Sequence, residues 1–225
     1  YTGEQGDEVL LFEQEVLNTA ARVQVSKQDL TNGQEIPGAT LRIVEKETGK
    51  IVDTWISEEI PHTVSGLRLS GTKEYRYLLQ ETLPALGFVT AEEIEFRLSQ
   101  DRDESGQWMD SSTVQVLERQ DHVEIWTSLE ENMLVMKDDI TQVEIQKRDK
   151  ETQELLEGAE LTLYDEEGQE VMSWISQSDE GYLMMRLPIG TYRLEEKKAP
   201  KGYLTAEPLV FEVLDEPGVQ VIVLE

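Results

Sequence analysis

The sequence predicts an all-β protein made of two tandem β-sandwich modules, and three observations support this prediction. Several segments recur in the same order at an offset of about 115–120 residues, which indicates a duplicated unit. Within these segments apolar and polar residues alternate, as in the stretch from Val23 to Lys27, and this period is typical of half-buried strands. Turn-forming pairs such as Asn32-Gly33 separate the segments, and none of them keeps a helical period.

The internal repeat defines the domain organisation. The matching segments are 23–29 with 143–149, 38–43 with 158–163, 55–57 with 174–176, 77–81 with 192–196, and 90–96 with 205–211. Because the order is kept and the spacing changes only between matches, we interpret the pattern as a duplication. It divides the chain into residues 1–21, a first module at 22–139 and a second module at 140–225.

The two modules are predicted to differ in length and to meet stiffly. The first module has an insertion at 99–131, with strands expected at 114–117 and 123–127. No Gly/Ser-rich linker lies near Asp139, so little free chain separates the modules, which suits a stalk. Residues 1–21 include the apolar run 9–12, and we expect them to be the C-terminal strand remnant of a preceding module or a leader.

Charge and composition exclude several functions. The chain has 47 Asp and Glu residues against 20 Lys and Arg residues, a net charge of −27. Such a charge repels nucleic-acid phosphates and anionic lipid surfaces, so we expect neither as a partner. No stretch approaches the ~20 apolar residues of a membrane span, so no membrane insertion is expected within this sequence. The absence of cysteine leaves the compartment open and requires a stabiliser other than disulfides.

A lysine closes the first strand of each repeat on its apolar face. Alternation places Lys27 beside Val23 and Val25, and Lys147 occupies the same position in the second repeat. A buried ammonium without a partner is costly, and burial favours the neutral amine. The alternative is a strand-end lysine whose amine reaches water, but the repetition in register makes a buried role the better interpretation.

Acidic side chains also fall on apolar strand faces. Glu81 and Glu196 end equivalent Tyr-x-Leu-x-Glu segments, and Asp138 ends the segment from Leu134. A partly exposed strand-end acid is the alternative for each. If Lys27, Glu81 and Asp138 meet in one sandwich, amide formation becomes available: a neutral amine attacks a carboxyl, and a protonated glutamic acid transfers protons. The product is an isopeptide cross-link.

Three motifs resemble the Cna B-type (SpaA-like) domains of Gram-positive surface adhesins and pilins. They are Val-Ser-Lys27-Gln-Asp, Pro37-Gly-Ala39-x-Leu41 and, most specifically, Glu196-Lys-Lys-Ala-Pro200-Lys-Gly-Tyr203. The resemblance implies a prealbumin-like (immunoglobulin-like reverse topology) sandwich and an extracellular location at the cell surface or cell wall. It also implies that Lys27 is the amine donor, Glu81 the catalytic acid and Asp138 the acceptor.

The resemblance carries over only in part elsewhere. The second module keeps Lys147 and the catalytic acid Glu196, but the family's strand length places its acceptor immediately beyond Glu225. Glu225 itself is a poor substitute, because the family does not use glutamate there, so we expect no cross-link in the second module of this sequence. By the same spacing, Asn18 is a candidate acceptor for a preceding module.

No cofactor or metal site is expected, because the sequence has no cysteine or phosphate-binding loop and its two histidines lack a ligand pattern. The favoured function is a structural stalk whose partners are neighbouring modules, with no enzymatic activity beyond single-turnover bond formation. Binding of a host protein or glycan is the alternative, with Trp108 and Trp126 in the insertion as the place to look. A polymerising pilin backbone is a third hypothesis, but no sorting signal is recognisable.

Overall fold

The computed structural model describes residues 21–70, 73–120, 123–129 and 131–225, without the side chains of residues 108 and 110, and every helix or strand in these ranges is a β-strand. The strands are β1 (Ala21–Asp29), β2 (Thr40–Glu45), β3 (Ile51–Ile56), β4 (His62–Leu67), β5 (Leu69–Ser70), β6 (Tyr77–Leu83), β7 (Ile94–Arg102), β8 (Trp108–Gln120), β9 (Val123–Ser128), β10 (Met133–Asp138), β11 (Gln142–Lys147), β12 (Glu160–Tyr164), β13 (Glu170–Ile175), β14 (Tyr182–Met185), β15 (Gly190–Lys198), β16 (Leu209–Val213) and β17 (Val219–Leu224). The described residues contain no helix able to span a membrane. The predicted all-β fold class is confirmed.

The strands of the first half form a sandwich that we call the first sandwich. One sheet has the order β10-β1-β4, with β1 and β10 parallel. The facing sheet has the order β3-β2-β6-β7-β8-β9, and β5 pairs with β7. Alternation along β1, β2 and β6 turns apolar residues inward from both sheets, among them Val23, Leu41 and Leu79, and these residues are fully buried in one hydrophobic core.

The second sandwich repeats this plan with fewer strands. Its sheets are β14-β11-β17 and β13-β12-β15-β16, and β11 and β17 are parallel, as β1 and β10 are. They enclose a separate core that includes Val143, Leu161 and Leu194. The repeat detected in the sequence therefore corresponds to equivalent strands in equivalent sheet positions.

The insertion of the first half forms the long hairpin β8–β9, which extends one sheet of the first sandwich. An ion pair joins the hairpin to β7, because the buried Glu95 carboxylate lies 2.5 Å from a guanidinium nitrogen of Arg119 on β8. The same carboxylate lies 2.7 Å from Lys46 Nζ, just after β2. The half-buried ring of Trp126 also packs under cations, with the guanidinium of Arg97 4.2 Å from its centroid. This packing favours a structural role for Trp126.

The two sandwiches meet through a short antiparallel contact. The Val89 N–H donates to the Asp139 carbonyl at 2.9 Å, and the Thr141 N–H donates to the Gly87 carbonyl at 3.1 Å. The buried Thr141 hydroxyl also donates to the Leu187 carbonyl at 2.6 Å. Because these bonds satisfy the connecting backbone, the connection is an ordered part of the structure.

Candidate functional site

The structure brings Lys27, Glu81 and Asp138 together in the core of the first sandwich. Lys27 and Asp138 lie on the adjacent parallel strands β1 and β10, where Lys27 pairs with Met136 and Asp29 pairs with Asp138. Glu81 comes from β6 in the facing sheet, opposite Leu41 of β2. All three side chains are buried, so one sheet supplies the amine and one carboxyl, and the other sheet supplies the second acid.

The contacts between the three groups are direct. The Lys27 amine donates to Asp138 Oδ1, and Lys27 Nζ lies 3.0 Å from Glu81 Oε1. Glu81 Oε1 and Asp138 Oδ2 are buried atoms without a hydrogen-bond partner among the described residues. A carboxylate oxygen without a hydrogen bond is costly in a core, so the free Oδ2 favours a proton on Asp138.

The electrostatics favour a protonated acceptor. Burial is the largest influence on Asp138 and raises its pKa to about 7, and the nearby Glu81 acts in the same direction. The hydrogen bond and charge of Lys27 oppose this rise. A protonated Asp138 can lose its hydroxyl as water, whereas an ionised carboxylate resists attack by an amine.

A backbone amide fixes the Glu81 carboxyl in place. Glu81 Oε2 accepts a hydrogen bond from the Ala91 N–H at 2.6 Å, which leaves Oε1 directed toward Lys27. The second sandwich repeats this bond, since Glu196 Oε2 accepts from the Ala206 N–H at 2.6 Å. Sequence reasoning missed this contact, although the repeated Thr-Ala-Glu segment that contains Ala91 and Ala206 was the signal for it.

The second sandwich holds two of the three groups. Lys147 and Glu196 are buried, and Lys147 Nζ lies 3.9 Å from Glu196 Oε1. Glu196 is the one acid that the described part of the chain brings within 4 Å of this amine. Glu225 is exposed and accepts a hydrogen bond from Gln153 at 2.8 Å, so it does not take the place of Asp138.

Strand register locates the missing position. Lys27 pairs with Met136, two residues before Asp138, and Lys147 pairs with Leu224. The residue equivalent to Asp138 is therefore the one at position 226. The other candidate acceptor, Asn18, lies outside the described residues, as do residues 1–20 of the predicted strand remnant at 1–21. The sequence predicts Ala21 to lie in that remnant, but it begins β1 and belongs to the first sandwich.

No further site competes with this one within the described ranges. No three His, Cys, Asp or Glu side chains there form a group that could hold a metal ion. In the acidic turn after β7, the Asp103 carboxylate accepts hydrogen bonds from the backbone N–H groups of Ser105 and Gln107, both at 2.9 Å. The turn therefore supplies the hydrogen-bond partners of this aspartate. The side chain of Trp108 is among those not described.

Residues 141–225 match the SpaA family model, described as a prealbumin-like fold domain. A curated relative is the pilus tip adhesin Cpa of Streptococcus pyogenes, which is 44% identical over 62 residues. The matched stretch covers 28% of this chain and 9% of Cpa. The second sandwich therefore belongs to the SpaA-type prealbumin-like domains, and the resemblance drawn from its motifs is confirmed for these residues.

Comparison with solved structures found low similarity to two bacterial proteins, among others. The TIE protein of Bacillus anthracis is 21% identical, with a TM-score of 0.45, and the match covers 91% of this chain and 33% of that chain. The shaft pilin SpaA of Lactobacillus rhamnosus GG is 13% identical, with a TM-score of 0.37, over 92% of this chain and 97% of that chain.

Proposed function

We propose that this chain is a structural stalk or spacer region of a Gram-positive bacterial protein that is anchored to the cell wall and exposed at the cell surface. It consists of two tandem SpaA-like modules, residues 22–139 and 140–225. The SpaA match of the second module and the similarity to Cpa support the surface location. The ordered connection at Asp139–Thr141 supports a spacer, because a hinge would leave these backbone groups unbonded.

We further propose that the first module forms an autocatalytic intramolecular isopeptide bond. The observation that supports this is the direct contact of Lys27 with Glu81 and Asp138. The neutral Lys27 amine attacks the Asp138 carboxyl carbon, and a C–N bond replaces a C–O bond. Glu81 accepts a proton from the amine and returns one to the departing hydroxyl, so one water leaves and the acid is regenerated. The reaction occurs once per chain and uses neither an external substrate nor a cofactor.

The core supplies the conditions that this reaction needs. Fixing amine and carboxyl in contact replaces a bimolecular encounter, and well-oriented pairs reach effective molarities of about 10⁵ M or more. Exclusion of water favours the neutral form of Asp138. The carboxyl pKa of about 7 places the acceptor in a suitable protonation state near neutral pH.

The position of the bond explains its use in a stalk. Lys27 lies on the first strand and Asp138 on the last strand of the sandwich, and these strands are neighbours. A pulling force that enters at β1 and leaves at β10 would pass through the covalent bond. The intervening residues would then carry no load, so the module would resist force and proteolysis of partly unfolded forms.

The second module completes the same site when the chain continues. With an asparagine or aspartate at position 226, Lys147 and Glu196 would meet an acceptor in the register that Asp138 has in the first module.

Peptide mapping tests the bond directly. Digestion of the purified chain should yield one branched peptide in which the Lys27 amine is joined to Asp138. Asp138→Ala should yield two linear peptides, and the matched variant Lys147→Ala should keep the branched one. Recovery of linear peptides containing Lys27 and Asp138 from the wild-type chain would refute the proposed bond.

An adhesin region that binds a host protein or glycan is the second candidate function. The observation in its favour is the hairpin edge at β9, where Val123 and Ile125 are exposed. Surface plasmon resonance against purified matrix proteins and a glycan array would test it, with Ile125→Glu as the matched variant. Binding by the wild-type chain that Ile125→Glu abolishes would support this function. No binding by the wild-type chain would refute it and leave the stalk as the proposed function.

A further inference from the structure

Arg186 at the module junction has an unusual backbone conformation. It is a non-glycine residue with a φ of 62°, a region that side chains other than glycine rarely adopt. Its counterpart in the first sandwich is Gly66, because Met184 pairs with Val143 just as Val64 pairs with Val23. Gly66 has a φ of 82°. The second sandwich therefore places an arginine where the fold suits glycine, and such strain points to a role.

The contacts of Arg186 show that role. Its guanidinium donates to Asp29 at the end of β1 and lies 4.5 Å from the centroid of the Phe88 ring. Its backbone packs so closely on Gly87 that a Cβ there would lie 2.6 Å from the Arg186 carbonyl oxygen. Arg186 thus combines an ion pair, a cation–π contact and close backbone packing against the first sandwich.

The surface of the first sandwich that receives Arg186 is well defined. We call it the receptor surface; it consists of Asp29, Gly87, Phe88, Val89 and Thr90. Phe88 is 7% and Val89 6% exposed, and Phe88 also packs in the core of the first sandwich. Thr90 completes it, since its N–H and hydroxyl donate to the Asp215 carboxylate at 2.8 and 2.6 Å.

The second sandwich carries a copy of the receptor surface at its far end. The copy consists of Asp149, Gly202, Tyr203, Leu204 and Thr205, which are the repeat equivalents of the five residues above. The same turn builds both surfaces, because the N–H of Phe88 and of Tyr203 each donate to a carbonyl three residues earlier at 3.1 Å. In the copy Tyr203 is 45% and Leu204 93% exposed.

We propose that this copied surface docks a further prealbumin-like module that follows directly in the chain and presents a cation at the position of Arg186. Asp149 would pair with the cation, the Tyr203 ring would stack under it, and Leu204 would be covered as Val89 is. Backbone at positions 227–229 would bridge to residues 202–204, as 139–141 bridges to 87–89. The inference rests on the proposed tandem stalk and names the surface that joins its modules.

A second copy of this chain, docked end to end, fits the surface less well. The first sandwich has Gly66 where the docking cation is needed, and the Arg186 of each copy is already in contact with its own Asp29. Two chains that each carry a net charge of −27 also repel one another. The occupant is therefore a module with its own cation at this turn.

Hydrogen exchange tests the proposal on the whole chain. The chain would be extended by an asparagine at position 226 and then by a copy of residues 139–225. Exchange at the Leu204 amide should slow by about 100-fold, because the amide passes into an ordered interface that opens only by local unfolding. The Val89 amide, which bonds to Asp139, is the internal reference. Unchanged exchange at Leu204 in the extended chain would overturn the proposal.

Two further measurements test whether the arginine is responsible for the docking. Replacing the arginine of the appended copy by glycine, as in Gly66, should restore fast exchange at Leu204. In the 225-residue chain, Arg186→Gly should speed exchange at Val89, and no change there would refute the role of the cation even if the appended copy fails to fold. Peptide mapping reports the Lys27–Asp138 bond independently, so failure of docking and failure of the proposed cross-link are distinguishable.

Discussion

Lys27→Met keeps a side chain of similar length in the core and removes the nucleophile of the proposed bond. The bond closes a loop between positions 111 residues apart, and the chain-entropy relation for a covalent link gives about 5 kcal/mol for such a loop. We expect the free energy of unfolding of the first sandwich to fall by at least that amount, because the substitution also removes the amine from beside Glu81 and Asp138. For a unit of roughly 120 residues this corresponds to a Tm lower by about 20 °C.

Thermal and urea unfolding, with hydrogen exchange to assign each transition to a sandwich, would measure this loss. The matched control is Lys147→Met, which removes a buried amine that lies 3.9 Å from Glu196 in a sandwich without an acceptor. Because no loop is closed there, the control measures only the cost of removing a buried amine from beside an acid, about 3–5 kcal/mol for a charged pair. Lys27→Met should lose about 5 kcal/mol more than this control, the contribution of the covalent loop. Equal unfolding midpoints for Lys27→Met and the wild-type chain would show that Lys27 closes no covalent loop.

Two other predictions concern protonation and the junction. In Glu81→Ala, which leaves Asp138 unlinked, burial still raises the pKa of Asp138, although the contribution of Glu81 is lost. The folded chain therefore holds a proton on Asp138 that the unfolded chain releases, and this group lowers stability as pH rises. Adding Asp138→Asn should therefore stabilise that variant more at pH 7 than at pH 4 in urea unfolding; a gain independent of pH would contradict the raised pKa. Gly87→Ala forces a Cβ against the Arg186 carbonyl, whereas Gly202→Ala meets no atom within 4 Å at a similar φ. The first should cost at least about 2 kcal/mol more than the second, and equal costs would contradict a packed junction.

Local chemistry explains what the sequence could predict. The alternation through Val23 and Val25 placed Lys27 on the buried face, and the structure has it there. The repeat paired Glu81 with Glu196 because both strands obey the same period of two. These features depend on neighbours along the chain, so a single sequence reveals them.

Features that depend on contacts between distant segments could not be predicted in the same way. Alternation does not reveal that Glu81 comes from the sheet facing Lys27, nor that the Ala91 amide orients its carboxyl. Arg186 was missed because its role departs from the repeat, whose other copy has Gly66. The pairing of Lys147 with Leu224 also emerges only from the paired strands, and it agrees with the acceptor position immediately beyond Glu225 that the family's strand length implied.

The intact mass of the purified chain, measured for the wild type beside Glu81→Ala, tests the central claim most directly. We predict a wild-type chain one water molecule lighter than its sequence requires, because amide formation between Lys27 and Asp138 releases one water. Glu81→Ala should have the full mass, since it lacks the acid that transfers the protons. Full sequence mass for both proteins would contradict the account of the site.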